Sequence, residues 1–242
     1  MCTASWLIGP DGYDLLFNRD ELRTRPIALP PRRGERQGMR YLAPVDPQGG
    51  GTWIAVNEVG LCLFLLNRRP DREPRAPQAS RGLIPIELID STGIEEVGRR
   101  AAALDLARYR PFTLGVIAPG APGGPGGPPR VFAWTGEALE SAPAPPPLVS
   151  SSVGEESLFA ERRATYPTGP LTLRTLLAYQ RGHGSGKSAA SVCMHREDAQ
   201  TVSFSRVHVN AAQVRLGYAP GSPCERAPMR WLALARRAES DR

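Results

Sequence analysis

Met1-Cys2-Thr3-Ala4-Ser5-Trp6-Leu7-Ile8-Gly9-Pro10-Asp11-Gly12-Tyr13-Asp14-Leu15-Leu16-Phe17-Asn18-Arg19-Asp20-Glu21 opens the chain. Residues 3–8 and 13–17 read as two strands. Between them Gly9-Pro10-Asp11-Gly12 is a turn, where Pro presets φ and Gly accepts a positive φ. The hairpin returns the chain towards its start, so Asn18-Arg19-Asp20-Glu21, just past the second strand, falls on the same edge as Cys2.

Cys2 is small enough for Met1 to be removed in front of it. One residue would then carry a thiol and a free α-amine, with unperturbed pKa values of about 8.5 and about 7.7–8.0. A nucleophile and a weak base matched to neutral pH would share a residue, as in enzymes that use an N-terminal amine as base. Asp20 and Glu21 point opposite ways on extended chain, so at most one of them addresses Cys2.

The totals suit one large domain or two small ones and are enough for a two-layer core, and residues 1–242 are read as one unit. The net charge of +6 comes from 30 basic residues, of which only Lys187 is a lysine. They are interleaved with acids and form no basic arm, so nucleic acid is not an expected partner. Cys2, Cys62, Cys193 and Cys224 lack paired spacing, and no apolar run is long enough for a membrane span. Reduced thiols and a cytoplasmic location are the expectation.

Further along, residues 26–48 are rich in Pro and Arg and read as a long loop. Residues 52–56 and 61–66 read as strands, the second buried on both faces, with Asn67 projecting an amide from its end. Helical patterns cover 84–89, broken near Pro85, and 94–109, capped by Ser91 or Thr92. Strands follow at 112–118 and 131–134, with Pro/Gly-rich insertions near 119–129 and 142–147. Residues 148–152 read as a strand end, 157–166 and 171–179 as helices, 191–194, 202–209 and 214–218 as strands, and 229–237 as a closing helix. Blocks of strands and helices in this order predict an α+β fold with antiparallel sheets.

Other motifs carry less. Gly182-His183-Gly184-Ser185-Gly186-Lys187-Ser188 lacks the first glycine of a phosphate loop and follows a helix. Cys193-Met194-His195 is not read as a metal site, because Cys224, His183 and His208 are scattered in sequence. Haem ligation by His195 or a cysteine is compatible with the sequence, since one axial ligand leaves little trace. No serine elbow is present. The Asn67 amide is a candidate donor to an oxyanion.

Two separated blocks, Met1-Cys2-Thr3 with Asn18-Arg19-Asp20-Glu21, and Gly50-Gly51-Thr52-Trp53-Ile54-Ala55-Val56-Asn57-Glu58-Val59-Gly60-Leu61 ending at Asn67, resemble the NRDE family, which includes transport and Golgi organisation protein 2-like proteins. Ser80-Arg81-Gly82 resembles a third block. More distantly the blocks are similar to penicillin V acylase and bile salt hydrolase, N-terminal nucleophile hydrolases. That resemblance implies an αββα sandwich of two antiparallel sheets between helical layers. It implies Cys2 as nucleophile, Glu21 in place of the Asp that orients it, Asn18 (or Arg19 after a one-residue shift) in place of the acylases' Arg, with Asp20 between them, and Asn67 in the oxyanion hole. Ser150-Ser151-Ser152 stands where a second oxyanion Asn is expected, and either Arg196 or Arg206 matches a late arginine. Trp53, Asn57, Ser151 and Arg196 are the substrate-binding candidates.

Two functions follow from the resemblance. One is a cysteine amidohydrolase acting on a non-peptide linear amide of a small molecule, with no cofactor or metal required. The other is a binding protein holding haem, a lipid or acyl-CoA in the same cleft. Whether the chain is an enzyme is left open at this level, and a homo-oligomer is compatible with either.

Overall fold

The computed structural model describes residues 2–69, 78–120, 127–150 and 156–237, the first three residues of the last stretch by backbone alone. β1 (Cys2–Gly9) and β2 (Gly12–Leu22) form the expected hairpin, in a register that puts Cys2 opposite Arg19. β2 is longer than predicted. β11 (Ala199–Val209) pairs with it from Tyr13 to Leu22, so Asn18-Arg19-Asp20-Glu21 lies within the strand and not past its end.

Two all-antiparallel sheets result. The first has the order β10-β1-β2-β11-β12-β13, with β10 Leu148–Ser150, β12 Gln213–Pro220 and β13 Arg230–Ala235. The second runs β3-β4-β5-β6-β7-β8-β9 through Leu29–Arg36, Met39–Val45, Ile54–Asn57, Cys62–Asn67, Phe112–Ile117, Arg130–Trp134 and Leu139–Pro143. Cys2, Ala4, Trp6, Leu15, Phe17, Phe64, Leu66 and Leu216 pack between the sheets. The alternate residues face outwards, as the period of two requires.

A second apolar cluster joins the outer face of the seven-stranded sheet to α1 (Leu83–Leu88) and α2 (Ile94–Ala102). A third joins Leu16 and Phe204 of the six-stranded sheet to α4 (Leu173–Gln180), and α3 (Glu156–Ala164) precedes α4. The layers are therefore helix, sheet, sheet, helix, as the resemblance implies.

Five local expectations are corrected. The 26–48 loop is the hairpin β3–β4, turned through Gln37 and Gly38 at φ 47° and 76°. Its prolines are tolerated because β3 is a sheet edge with fewer ladder bonds to supply. The closing helix is β13, whose Leu232 and Leu234 both join the inter-sheet core at a spacing of two. Ala-Leu alternation carries helical propensity, but pairing with β12 overrides it. Residues 191–194 form no strand, and Ala142 and Pro143 end β9. Pro85 does not break α1: it sits in the first turn, where its missing N–H would be unbonded in any helix. Most of the 119–129 insertion lies outside the described residues.

Candidate active site

The alternation of β2 sorts the four residues of its second half onto two faces. Asn18 and Asp20 point to the helical layer, where Asn18 Nδ2 donates to the carbonyls of Gln180 (2.8 Å) and Val192 (2.9 Å). The Asp20 carboxylate accepts from Arg162 Nη1 at 2.9 Å and from Thr201 Oγ1 at 2.6 Å. Arg162 also donates to Thr3 Oγ1, and it is among the largest fully buried side chains. Arg19 instead shares the inner face with Cys2. A register shift of β11 between Thr201 and Ser203 falls opposite this turn of β2, a position where bulges re-aim side chains.

Cys2, Arg19, Glu21, Trp53, Asn67 and Arg81 line a cleft of about 120 Å³ at one end of the two sheets, with Asp46 and Arg25 beside them. The Arg19 guanidinium lies 4.4 Å from the Trp53 ring centre and 3.7 Å from both Glu21 and Asp46. Arg25 binds Asp46 and stands 3.5 Å from Glu21. Burial opposes ionisation of Asp46, but the bond and charge of Arg25, with Arg19, hold its carboxyl below the usual value. Arg81 donates to the carbonyl of Pro111 at 2.8 Å, and burial, with Arg110 adding, lowers it to about 10. Asn67 ends β6, and no other described residue bonds its amide.

Cys2 is 7% exposed. Burial pushes its thiol above the ordinary cysteine value, and the Asp20 charge adds to the rise. The backbone N–H of Asp20 and the Arg19 charge act in the other direction. The Cys2 nitrogen donates to Ser150 Oγ at 3.1 Å. In a chain without Met1 that nitrogen is the α-amine. Ser150 thus holds the position expected of Glu21, which lies two residues beyond the register partner of Cys2 and turns to Arg19 and Arg25.

Other candidates stand apart from the cleft. Asn57 is fully buried, with its amide bonded to the carbonyls of Ile89 and Ser91 and to the Leu61 N–H. Arg196 pairs with Asp198, and Arg206 with Asp14. Ser151 lies outside the described residues. Sequence reading passed over Arg162, Arg25 and Asp46, since nothing singles them out in a chain so rich in arginine. It also missed how the second and third blocks meet: the Thr52 N–H donates to the Gly82 carbonyl at 2.8 Å, and a Cβ on Gly51 would stand 2.2 Å from that group.

One expectation about metal-binding residues is also corrected. His183 and Cys224 are not scattered from Cys193 and His195 but fold against them, while His208 pairs with Asp14 elsewhere.

The cleft, its block residues and the hairpin carry the family reading. Residues 1–120 match the model of the Transport and Golgi organisation 2 family. This is the NRDE family to which the tetrapeptide pointed. Among solved structures, penicillin V acylase from Agrobacterium tumefaciens is similar with a TM-score of 0.56 at 9% identity, covering 100% of this chain and 87% of that one. A Caenorhabditis elegans orthologue of N-acylethanolamine-hydrolyzing acid amidase gives 0.54 at 12% identity, over 85% and 92%. A variant of the conjugated bile acid hydrolase from Clostridium perfringens gives 0.53 at 13% identity, over 98% and 97%. At such identities the likeness shows the fold alone. No curated protein matches by sequence. No helix among the described residues is long and apolar enough to cross a membrane.

Proposed function

We propose that this chain is a cysteine amidohydrolase that cleaves an N-acyl amide of a small molecule. The observation that carries the reading is the meeting of Cys2, Arg19 and Asn67, from three strands of two sheets, in one cleft. The Cys2 thiol attacks the amide carbon, and its proton passes to the α-amine freed by loss of Met1. Ser150 orients that amine. As the S–C bond forms, negative charge on the carbonyl oxygen is met by the Asn67 amide, a role worth about 3–4 kcal/mol in other enzymes. The C–N bond then breaks, and the leaving amine takes the proton. Water cleaves the thioester, releases the acid and restores the thiol.

Two features favour a substrate class. A hollow of about 310 Å³ adjoins the cleft through Arg19, Glu21 and Arg25, and its walls include Leu22, Pro26, Ile27, Val202 and Tyr218. It suits an apolar acyl arm. In the cleft itself Arg19 and Arg25 are matched by Glu21 and Asp46, whereas Arg81 bonds to a carbonyl and brings its charge to the site. That suits an anionic group on the amine side.

The test is intact mass of the purified protein together with turnover of a panel of N-acyl amino acids of varied acyl length. Loss of Met1, acid release, and its abolition in Cys2→Ala support the reading. A retained Met1 with no turnover sinks it. Tight binding of a fatty acyl probe or haem that Cys2→Ala leaves intact, again with no turnover, would support the carrier alternative in the same cleft.

A further inference from the structure

The four residues His183, Cys193, His195 and Cys224 lie outside the cleft and outside the proposed chemistry. Each offers one ligand atom, and the four atoms lie within 4.8 Å of one another. They come from three segments: His183 just after α4, Cys193 and His195 in the loop before β11, and Cys224 in the short 3-10 helix Pro223–Glu225 after β12. Cys193 is buried and the other three are half-buried.

Hydrogen bonding does not account for the cluster. His195 Nε2 stands 3.2 Å from His183 Nε2, 3.6 Å from Cys193 Sγ and 3.5 Å from Cys224 Sγ. A neutral ring nitrogen has either one N–H or one lone pair in its plane, so it serves one partner well and not three. The spacings instead match the edges of a coordination tetrahedron. Zinc–nitrogen bonds of about 2.0–2.1 Å and zinc–sulfur bonds of about 2.3 Å set N···N edges of about 3.3–3.4 Å and S···N edges of about 3.5–3.6 Å. Two thiolates and two imidazoles are also the donor set that selects zinc over hard cations.

We propose that His183, Cys193, His195 and Cys224 form a structural Cys₂His₂ zinc site. Four protein ligands leave no open position, so the ion braces the fold and takes no part in catalysis. What it braces is the outer face of β2. The loop that carries Cys193 and His195 supplies the Val192 carbonyl to Asn18 and the Ala189 carbonyl to Arg162. The Met194 N–H donates to Thr201 Oγ1, which in turn donates to Asp20. An ion here ties that loop to the segment after β12 and so fixes the backing of the strand that faces Cys2.

The experiment uses the full chain, expressed with zinc and purified under reducing conditions. Elemental analysis is expected to find one zinc per chain, retained in Cys2→Ser. Cys224→Ser and His183→Ala are each expected to lose at least nine-tenths of it and to lower the melting temperature. Because those variants are open to misfolding, cobalt(II) titration of the metal-free wild-type chain provides a second readout. Intense visible bands of tetrahedral cobalt with a thiolate charge-transfer band, saturating at one equivalent and reversed by zinc, support the site. A chain that takes up neither ion, zinc that survives both substitutions, or a Cys193–Cys224 disulfide in the freshly purified protein would overturn it.

Discussion

Asp20 and Arg162 are joined at 2.9 Å on the face of β2 opposite the Cys2 thiol, with side chains 0% and 1% exposed. The carboxylate that follows Arg19 therefore does not reach into the cleft. It anchors the strand to α3. Removing one partner strands a buried charge, a loss of about 3–5 kcal/mol. Arg162→Met is expected to destabilise the chain by that amount in urea unfolding. Adding Asp20→Asn should recover part of the loss, because the stranded charge is then gone. Additive losses would show that the pair is not coupled.

Asn67 lies at a strand end with an amide that no other described residue holds, so its removal leaves the fold little changed. Asn67→Ala is expected to lower kcat about 10²–10³-fold. The urea midpoint should stay within about 0.5 kcal/mol of wild type, as for substitutions away from the core. A change confined to KM would place the amide outside the oxyanion site.

Gly51 has no room for a side chain, because a Cβ would stand 2.2 Å from the Gly82 carbonyl group. Gly51→Ala is expected to push residues 80–82 outwards and move Arg81 out of the cleft. Overpacking of this kind destabilises by about 1–3 kcal/mol. The paired readouts are the unfolding midpoint and the KM for anionic amides, and both should worsen.

Burial raises the Cys2 thiol, so near neutral pH it is protonated more fully than an ordinary cysteine. With Met1 retained by a variant design, alkylation of Cys2 by iodoacetamide is expected to be slower than that of a cysteine in a short unstructured peptide at pH 7. Its rate should climb about tenfold per pH unit, following the thiolate fraction. In the processed chain the adjoining α-amine supplies a base, and the reaction at pH 7 should speed up. Equal rates for the two forms would remove the amine from the mechanism.

Asp46 has a folded pKa held below its unfolded value, so its contribution to stability is present above the unfolded pKa of about 3.9. It fades as pH falls through the lower folded value. Urea unfolding between pH 7 and pH 2.5 should show wild type more stable than Asp46→Asn at pH 6. The gap should close at the acid end. A constant gap would mean that packing, not charge, sets the difference.

The hairpin, the paired apolar strands and the position of Asn67 were legible in sequence because they rest on local signals. Turn chemistry, period-two alternation and a strand-end amide are each written within a few residues. That Arg19 shares the face of Cys2 came from the strand register, which runs β2 on through Leu22. Where local signals were mixed, the reading failed. The prolines of β3 hid an edge strand, and Ala-Leu alternation in β13 mimicked a helix.

What the sequence by itself determined is the N-terminal core of the fold, its α+β class and a cysteine placed at the edge of a hairpin. Only the tertiary structure decided which partners that hairpin keeps. Asp20 went to Arg162, Glu21 to Arg19 and Arg25, and the Cys2 nitrogen to Ser150. It likewise gathered His183, Cys193, His195 and Cys224 from three segments. The physical reason is the same in each case. Charged, polar and sulfur groups are satisfied by whatever the packed layers bring within reach of them, and that distance is set across the chain and not along it.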